Sequence, residues 1–207
     1  MESLDRYTQA VNRLAEQGLV DAVPNLFSLE PGETVFHAEE PADRIFGVHT
    51  GKIQLVRYLE NGQMTNQYAL ESGLWFGESA LFHDVYPNSA IATQPSEIIA
   101  IPTHTFLTLL RHESDLSLLF MAQLVEQLHM AKDIMALRCI RSAYERVLAY
   151  LYGLKTPNQR VCVLDRSIKE IAEQICLTPE VVSRSLRKLQ DDGVIRRNQR
   201  KVTFLRS

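Results

Sequence analysis

The chain has 207 residues and a formal net charge of −3, with 45% apolar and 23% charged residues, which suits one large or two small folded domains and excludes a disordered chain. No apolar run approaches the roughly 20 residues that cross a bilayer, and the opening MESLDRYTQAVNRLAEQG lacks the basic start and apolar core of a signal peptide, so a cytoplasmic protein with no membrane partner is expected. The three cysteines, Cys139, Cys162 and Cys176, have no metal-ligand spacing, which argues against both a disulfide framework and a zinc site.

The charge is divided unevenly. Residues 1–137 carry seven Lys/Arg against eighteen Asp/Glu, a net of −11, whereas residues 138–207 carry fifteen against seven, a net of +8. A small basic domain behind a larger acidic one points to a C-terminal part that meets phosphate and an N-terminal part with another task. The expected divisions are 1–113, 114–137 and 138–207.

After a short N-terminal helix, the segment from about Leu29 to Ile101 breaks into β-prone runs: ETVFHAE, RIFGVHTG, KIQLVRYLENG, MTNQYALESG and SEIIAIP. Pro31-Gly32, Asn61-Gly62 and Ser72-Gly73 stand where strands reverse, and many short strands at regular spacing predict a β-sandwich or roll. From Ser114 to about Leu137 there is neither Gly nor Pro, and Ser117, Met121, Leu124, Leu128, Ala131 and Met135 recur at alternating steps of four and three. That spacing predicts the a/d seam of a parallel homodimer, with Leu118, Ala122 and Val125 as a second stripe covering the roll.

The basic part opens on the helical RSAYERVLAYLYGL, passes a Pro157-Asn158 turn and a short strand RVCVL, and reaches two short helices. Ser167 and Glu170 form a capping box for the first; Thr178 caps the second, with Pro179 at its first position and Gly193 beyond its end. On the second helix Glu180, Ser183, Arg184 and Arg187 share one arc, and Val182, Leu186 and Leu189 the opposite one. A three-residue turn between the helices makes them a helix-turn-helix, and VIRR and RKVTFL around Asn198-Gln199 make a hairpin wing with Arg196, Arg197, Arg200 and Lys201. Double-stranded DNA is the expected partner: arginine reads guanine, serine either kind of base-edge group, and glutamate cytosine, while Lys188 and the wing cations meet phosphates.

With these features in place the chain resembles the cAMP receptor protein / fumarate-nitrate regulator (CRP/FNR) family of bacterial transcription factors. The likeness runs from Leu29 to the end: β-roll, long dimer helix, winged helix-turn-helix. Gly32, Gly51, Gly62, Gly73 and FGESALF match the family's roll, with Glu39 where glycine is usual and Leu74 where aspartate is common. The resemblance implies an α+β chain: an N-terminal double-stranded β-helix of the jelly-roll, cyclic-nucleotide-binding-like kind, the long helix, and the C-terminal winged helix-turn-helix. Glu180, Ser183 and Arg184 match the E-x-x-S-R arrangement of the FNR-like branch, which implies palindromes of TTGAT-like half-sites and RNA polymerase as a partner.

In GESALFHDVYPNSA, Gly77, Glu78, Ser79 and Ser89 fit the family's ligand cassette, but Asn88 replaces the arginine that holds a cyclic phosphate. A neutral amide lacks the charge-assisted, bidentate contact, worth about 1.5–3 kcal/mol. Ala131 and Lys132 stand where cAMP binders place hydroxyls on the dimer helix, Lys132 being a possible substitute cation. cAMP is therefore not expected. Nor is an iron–sulfur cluster, since no cysteine precedes Cys139, nor haem, although His83, His104, His112 and His129 are conceivable axial ligands. The effector stays open between an unidentified small ligand, oxidation of a cysteine, and none. Cys176 is the thiol of interest because it fills the turn between the two DNA-binding helices. Against this stands a rival, a ligand-binding module whose C-terminal domain contacts protein; an enzyme lacks any nucleophile, base or metal constellation to support it.

Overall fold

The computed structural model describes residues 2–58, 64–156, 159–164 and 166–205, and the chain divides into two compact units between Val125 and Glu126. The first unit opens with α1 (Glu2–Glu16), whose Leu4, Tyr7, Val11 and Leu14 recur at three- and four-residue steps and are buried as one face. Eight strands follow among the described residues: β1 (Asn25–Leu29), β2 (Thr34–Phe36), β3 (Arg44–Thr50), β4 (Lys52–Tyr58), β5 (Met64–Glu71), β6 (Trp75–Phe76), β7 (Ser89–Ala92) and β8 (Ser96–Pro102). α2 (Thr103–His112) follows, and α3 (Ser114–Cys139) begins in this unit and ends in the second.

The strands form two four-stranded antiparallel sheets, β1-β8-β3-β6 and β2-β7-β4-β5, which make the expected roll. The near-continuous apolar runs of β3 and β8 have a physical reason: their sheet is covered on both faces. Phe46, Val48, Ile98 and Ala100 point into the roll, and Ile45, Ile99 and Ile101 point to a second core shared with α1, α2 and α3. Gly47 belongs to this second face, where a Cβ would come within 2.9 Å of Leu4. α1 fastens the start of α3: the buried Tyr7 hydroxyl donates to Leu116 O at 2.7 Å, and Arg13 pairs with Glu113 at 2.9 Å. Burial pushes the Tyr7 pKa up to about 12, so the donor keeps its proton.

β1, β6 and β7 have no counterpart among the sequence-predicted strands; β6 is two residues long and β7 reads Ser-Ala-Ile-Ala, too short and too small to show a period. Asn61-Gly62 and Pro157-Asn158 lie outside the described residues. Glu39, where the resemblance leads one to expect glycine, adopts the left-handed conformation at φ 66°, with its N–H bonded to Tyr86 O at 2.8 Å.

α3 corrects the sequence reading. Leu116, Phe120 and the half-buried Leu124 face the unit's own core, and Gln123 clips to strand β6, accepting from Trp75 N and donating to Trp75 O, both at 3.0 Å. Leu118 and Val125, expected to cover the roll, are 62% and 48% exposed, as is Ala122 at the surface. At about 100° per residue, positions 116, 120, 123 and 124 fall within one arc and 118, 121, 125, 128 and 132 within a separate one, with 135 drifting to the border between them. The free a/d row is thus Leu118, Met121, Val125, Leu128, Lys132 and Met135, with Leu124 removed from it, Ser117 hydrogen-bonded to Leu110 O, and Ala131 exposed at its flank. Spacing revealed two apolar faces but not which one the roll takes.

In the second unit α4 (Ala143–Gly153), β9 (Val161–Val163), α5 (Ile168–Gln174), α6 (Pro179–Asp191), β10 (Ile195–Asn198) and β11 (Lys201–Phe204) enclose a core of Val147, Leu151, Ile171, Val182, Leu186 and Val202 with their neighbours. The sheet order is β10-β11-β9, so the strand at Val161 extends the wing from two strands to three.

Candidate nucleic-acid interface

Each end of the helix pair is closed by the side chains the sequence supplies. The Ser167 hydroxyl accepts from Glu170 N while the Glu170 carboxylate accepts from Ser167 N, and Thr178 accepts from Val181 N ahead of Pro179. Such caps are worth about 1 kcal/mol each. α6 ends at Asp191, and Gly193 follows at φ 65°. Val182, Leu186 and Leu189 are buried, each contributing about 1.5–3 kcal/mol, which fixes the rotation of the helix. Glu180, Ser183, Arg184, Arg187 and Lys188 are consequently all exposed.

The electrostatics of this face are set locally. The Thr178 hydroxyl and the backbone N–H of Glu180, then the Arg184 guanidinium, hold the Glu180 carboxyl below the usual carboxylate range, so it remains an acceptor at neutral pH. Lys188 Nζ lies 5.4 Å from the centre of the Tyr144 ring, a cation–π contact from α4 that steadies it at the edge of the face. In the wing, Arg196, Arg200 and Lys201 are exposed, whereas Arg197 is half-buried and its Nε donates to Gln199 O at 2.8 Å. Arg197 therefore shapes the hairpin as well as carrying charge. The turn is centred one residue later than expected, at Gln199-Arg200, because Asn198 and Lys201 are paired and Gln199 takes φ 52°.

Four residues, Ile175–Thr178, separate the helices, against the three expected. Cys176 is exposed and left-handed, at φ 51°. Its carbonyl, that of Ile175 and that of Ile140 all accept from Arg146 of α4. Sequence reasoning missed Arg146, since nothing in RVLAYLY signals acceptors that are backbone carbonyls 6 to 30 residues away.

The roll cassette is arranged differently. Gly77 is buried at φ 75°, and a Cβ there would lie 3.2 Å from the Phe46 ring. Glu78 opens a 3-10 turn, Glu78–Leu81, that contains Ser79; both are half-buried, as is Asn88. Ser89 is buried and its hydroxyl accepts from Ala38 N at 2.9 Å. Behind them Phe36, Phe46, Phe76 and Tyr86 pack together with centroid separations from 3.9 to 6.2 Å, and the Tyr86 hydroxyl donates to Arg44 O. Lys132 is exposed on α3. His83, His104, His112 and His129 are exposed, His104 bonding Asp21 at 2.8 Å. Among the described residues no three His, Cys, Asp or Glu side chains gather to hold a metal ion, and no helix is long and apolar enough to cross a membrane.

Comparison with known proteins agrees with this architecture. Residues 26–113 match the model of the cyclic nucleotide-binding domain and residues 145–206 that of the Crp-like helix-turn-helix domain. The chain is 26% identical to the global nitrogen regulator of Synechocystis sp. over 208 residues, 96% of this chain and 92% of that protein. It is 30% identical to the nitrogen fixation regulation protein FixK of Bradyrhizobium diazoefficiens over 176 residues, 79% of this chain and 71% of that protein. The solved structure of FixK2 from Bradyrhizobium japonicum shares the fold with a TM-score of 0.64 at 22% identity, covering 89% of this chain and 94% of that one. With the capped helix pair, the basic wing and the jelly roll in place, the chain belongs to the CRP/FNR family of DNA-binding transcription regulators.

Proposed function

We propose that the protein acts as a homodimer on palindromic DNA, each subunit placing α6 in a major groove of half-sites about 34 Å apart. The observation that carries this reading is the rotation of α6: its buried Val182, Leu186 and Leu189 leave Glu180, Ser183, Arg184 and Arg187 exposed together. Glu180, Ser183 and Arg184 meet base edges of a TTGAT-like half-site, and Arg200, Lys201 and Lys188 meet phosphates. The exposed row Leu118, Met121, Val125, Leu128 and Met135 supports pairing of two α3 helices, since a monomer in water leaves no such stripe uncovered without cost. RNA polymerase is the partner that a regulator of this family addresses.

The roll is proposed not to take cAMP. Asn88 carries no charge for a phosphate, the Ser89 hydroxyl is bonded to the backbone, and aromatic rings fill the interior behind the cassette. The test is fluorescence anisotropy of the purified, reduced, ligand-free protein on a TTGAT/ATCAA palindrome against a scrambled duplex at physiological salt. Selective binding is the expected result. Equal binding to both duplexes overturns the half-site, and absent or salt-independent binding overturns the DNA reading in favour of a domain that contacts protein.

A further inference from the structure

The Arg146 side chain is half-buried, and its hydrogen bonds run to three backbone carbonyls at two separate places in the chain. Nε and Nη2 both donate to Ile140 O, just beyond the end of α3, at 2.9 and 2.5 Å. Nη1 donates to Ile175 O at 3.0 Å and to Cys176 O at 3.2 Å. Ile175 closes the C-terminus of α5, where unsatisfied carbonyls carry partial negative charge and favour a cation. Cys176 is the left-handed residue of the turn, a conformation that strains any side-chain-bearing residue.

The two carbonyls on Nη1 belong to the peptide planes on either side of the Cys176 Cα. Planes on both sides of a residue, once held, determine the two dihedrals between them. We infer that Arg146 is a positioning residue for DNA recognition: it holds Cys176 left-handed, sets the direction in which α6 leaves α5, and ties that turn to the end of the dimer helix. The planar guanidinium suits this because it donates in several directions at once, which a lysine ammonium at the same distance does without the rigid fork. The inference rests on the reading of α6 as the DNA-reading helix.

The experiment compares the full-length parent, Arg146→Lys, and Arg146→Lys combined with Cys176→Gly, by site-resolved amide hydrogen exchange and maleimide labelling without DNA, and by anisotropy on the palindrome and scrambled duplexes. In Arg146→Lys the amides of Cys176 and Leu177 exchange about tenfold faster, Cys176 labels faster, and affinity for the palindrome falls about tenfold, more than for the scrambled duplex. Glycine takes the left-handed conformation without strain, so adding Cys176→Gly restores most of the lost protection and affinity. Unchanged exchange at the turn in Arg146→Lys, or no recovery in the double variant, overturns the inference. If the exchange responds while the parent itself does not select the palindrome, the turn is held as inferred and the reading of α6 or its half-site is what fails. Should Arg146→Lys not fold, NMR of the parent decides: the Nε–H of Arg146 exchanges with water at least about tenfold more slowly than that of exposed Arg184, and equal rates overturn the inference.

Discussion

The face of α6 and the cassette of the roll contain similar polar residues, Glu180, Ser183 and Arg184 on one side and Glu78, Ser79, Asn88 and Ser89 on the other, yet the fold treats their serines Ser183 and Ser89 in opposite ways, one exposed and the other buried on a backbone N–H. On α6 the apolar half of the helix is anchored and the polar half is left in water. In the cassette, Ser89 serves the backbone of Ala38, Gly77 accommodates the Phe46 ring, and four aromatic rings occupy the space behind. The difference teaches that a motif match shows which residues are present, whereas unused hydrogen-bonding capacity shows which are available to a ligand.

The sharpest way to break the comparison is to separate the two α6 helices of the proposed homodimer. Leu128→Asp, on an exposed position of the free α3 row, leaves the protomer folded but monomeric, and the palindrome affinity drops by about a hundredfold or more as the linked second half-site is lost; light scattering and anisotropy read both. Next, Arg184→Ala costs about 1–3 kcal/mol on the palindrome and relaxes discrimination at one base pair, measured on a panel of single-substituted duplexes. In the cassette, Ser89→Ala lowers unfolding stability by about 1 kcal/mol by leaving Ala38 N without its acceptor, and millimolar cAMP raises the melting temperature of neither parent nor variant. Lys201→Ala weakens palindrome and scrambled duplexes alike and reduces the slope of log affinity against log salt by about 1.

The smallest effect concerns pH. Because the Glu180 pKa is depressed, the interaction that favours its carboxylate is complete above the ordinary carboxylate range and is lost only as pH falls through the lower folded value. Operator affinity of the parent therefore shows no Glu180 titration between about pH 6 and 8, and its pH profile runs parallel to that of Glu180→Gln. A divergence of the two profiles in that window places Glu180 in a different environment.

The helix-turn-helix was legible in sequence because its signals are local: a Ser-x-x-Glu box, a Thr-Pro start, a Gly stop and a 3.6-residue period lie within some two dozen consecutive residues. The roll was legible only where strands were long. Trp75–Phe76 is too short to alternate, and β3 and β8, buried on both faces, do not alternate at all. The face of α3 was misassigned because heptad steps record how many apolar stripes exist, while which stripe meets the roll depends on Trp75, Phe106 and α1, all distant in sequence. Arg146 was hidden for the same reason, as its partners are carbonyls that every residue has.

The double coverage of β3 and β8 also limits how the chain can be cut. A fragment from Asn25 to Pro102 holds every strand of the roll, yet it would present Ile45, Ile99 and Ile101 side by side on a bare sheet stripped of its helices, an adhesive surface in water. The shortest roll fragment expected to stay in solution must keep α1 and the first turns of α3, so a transplant of this module into another protein has to begin at Leu4 or before and continue past Phe120.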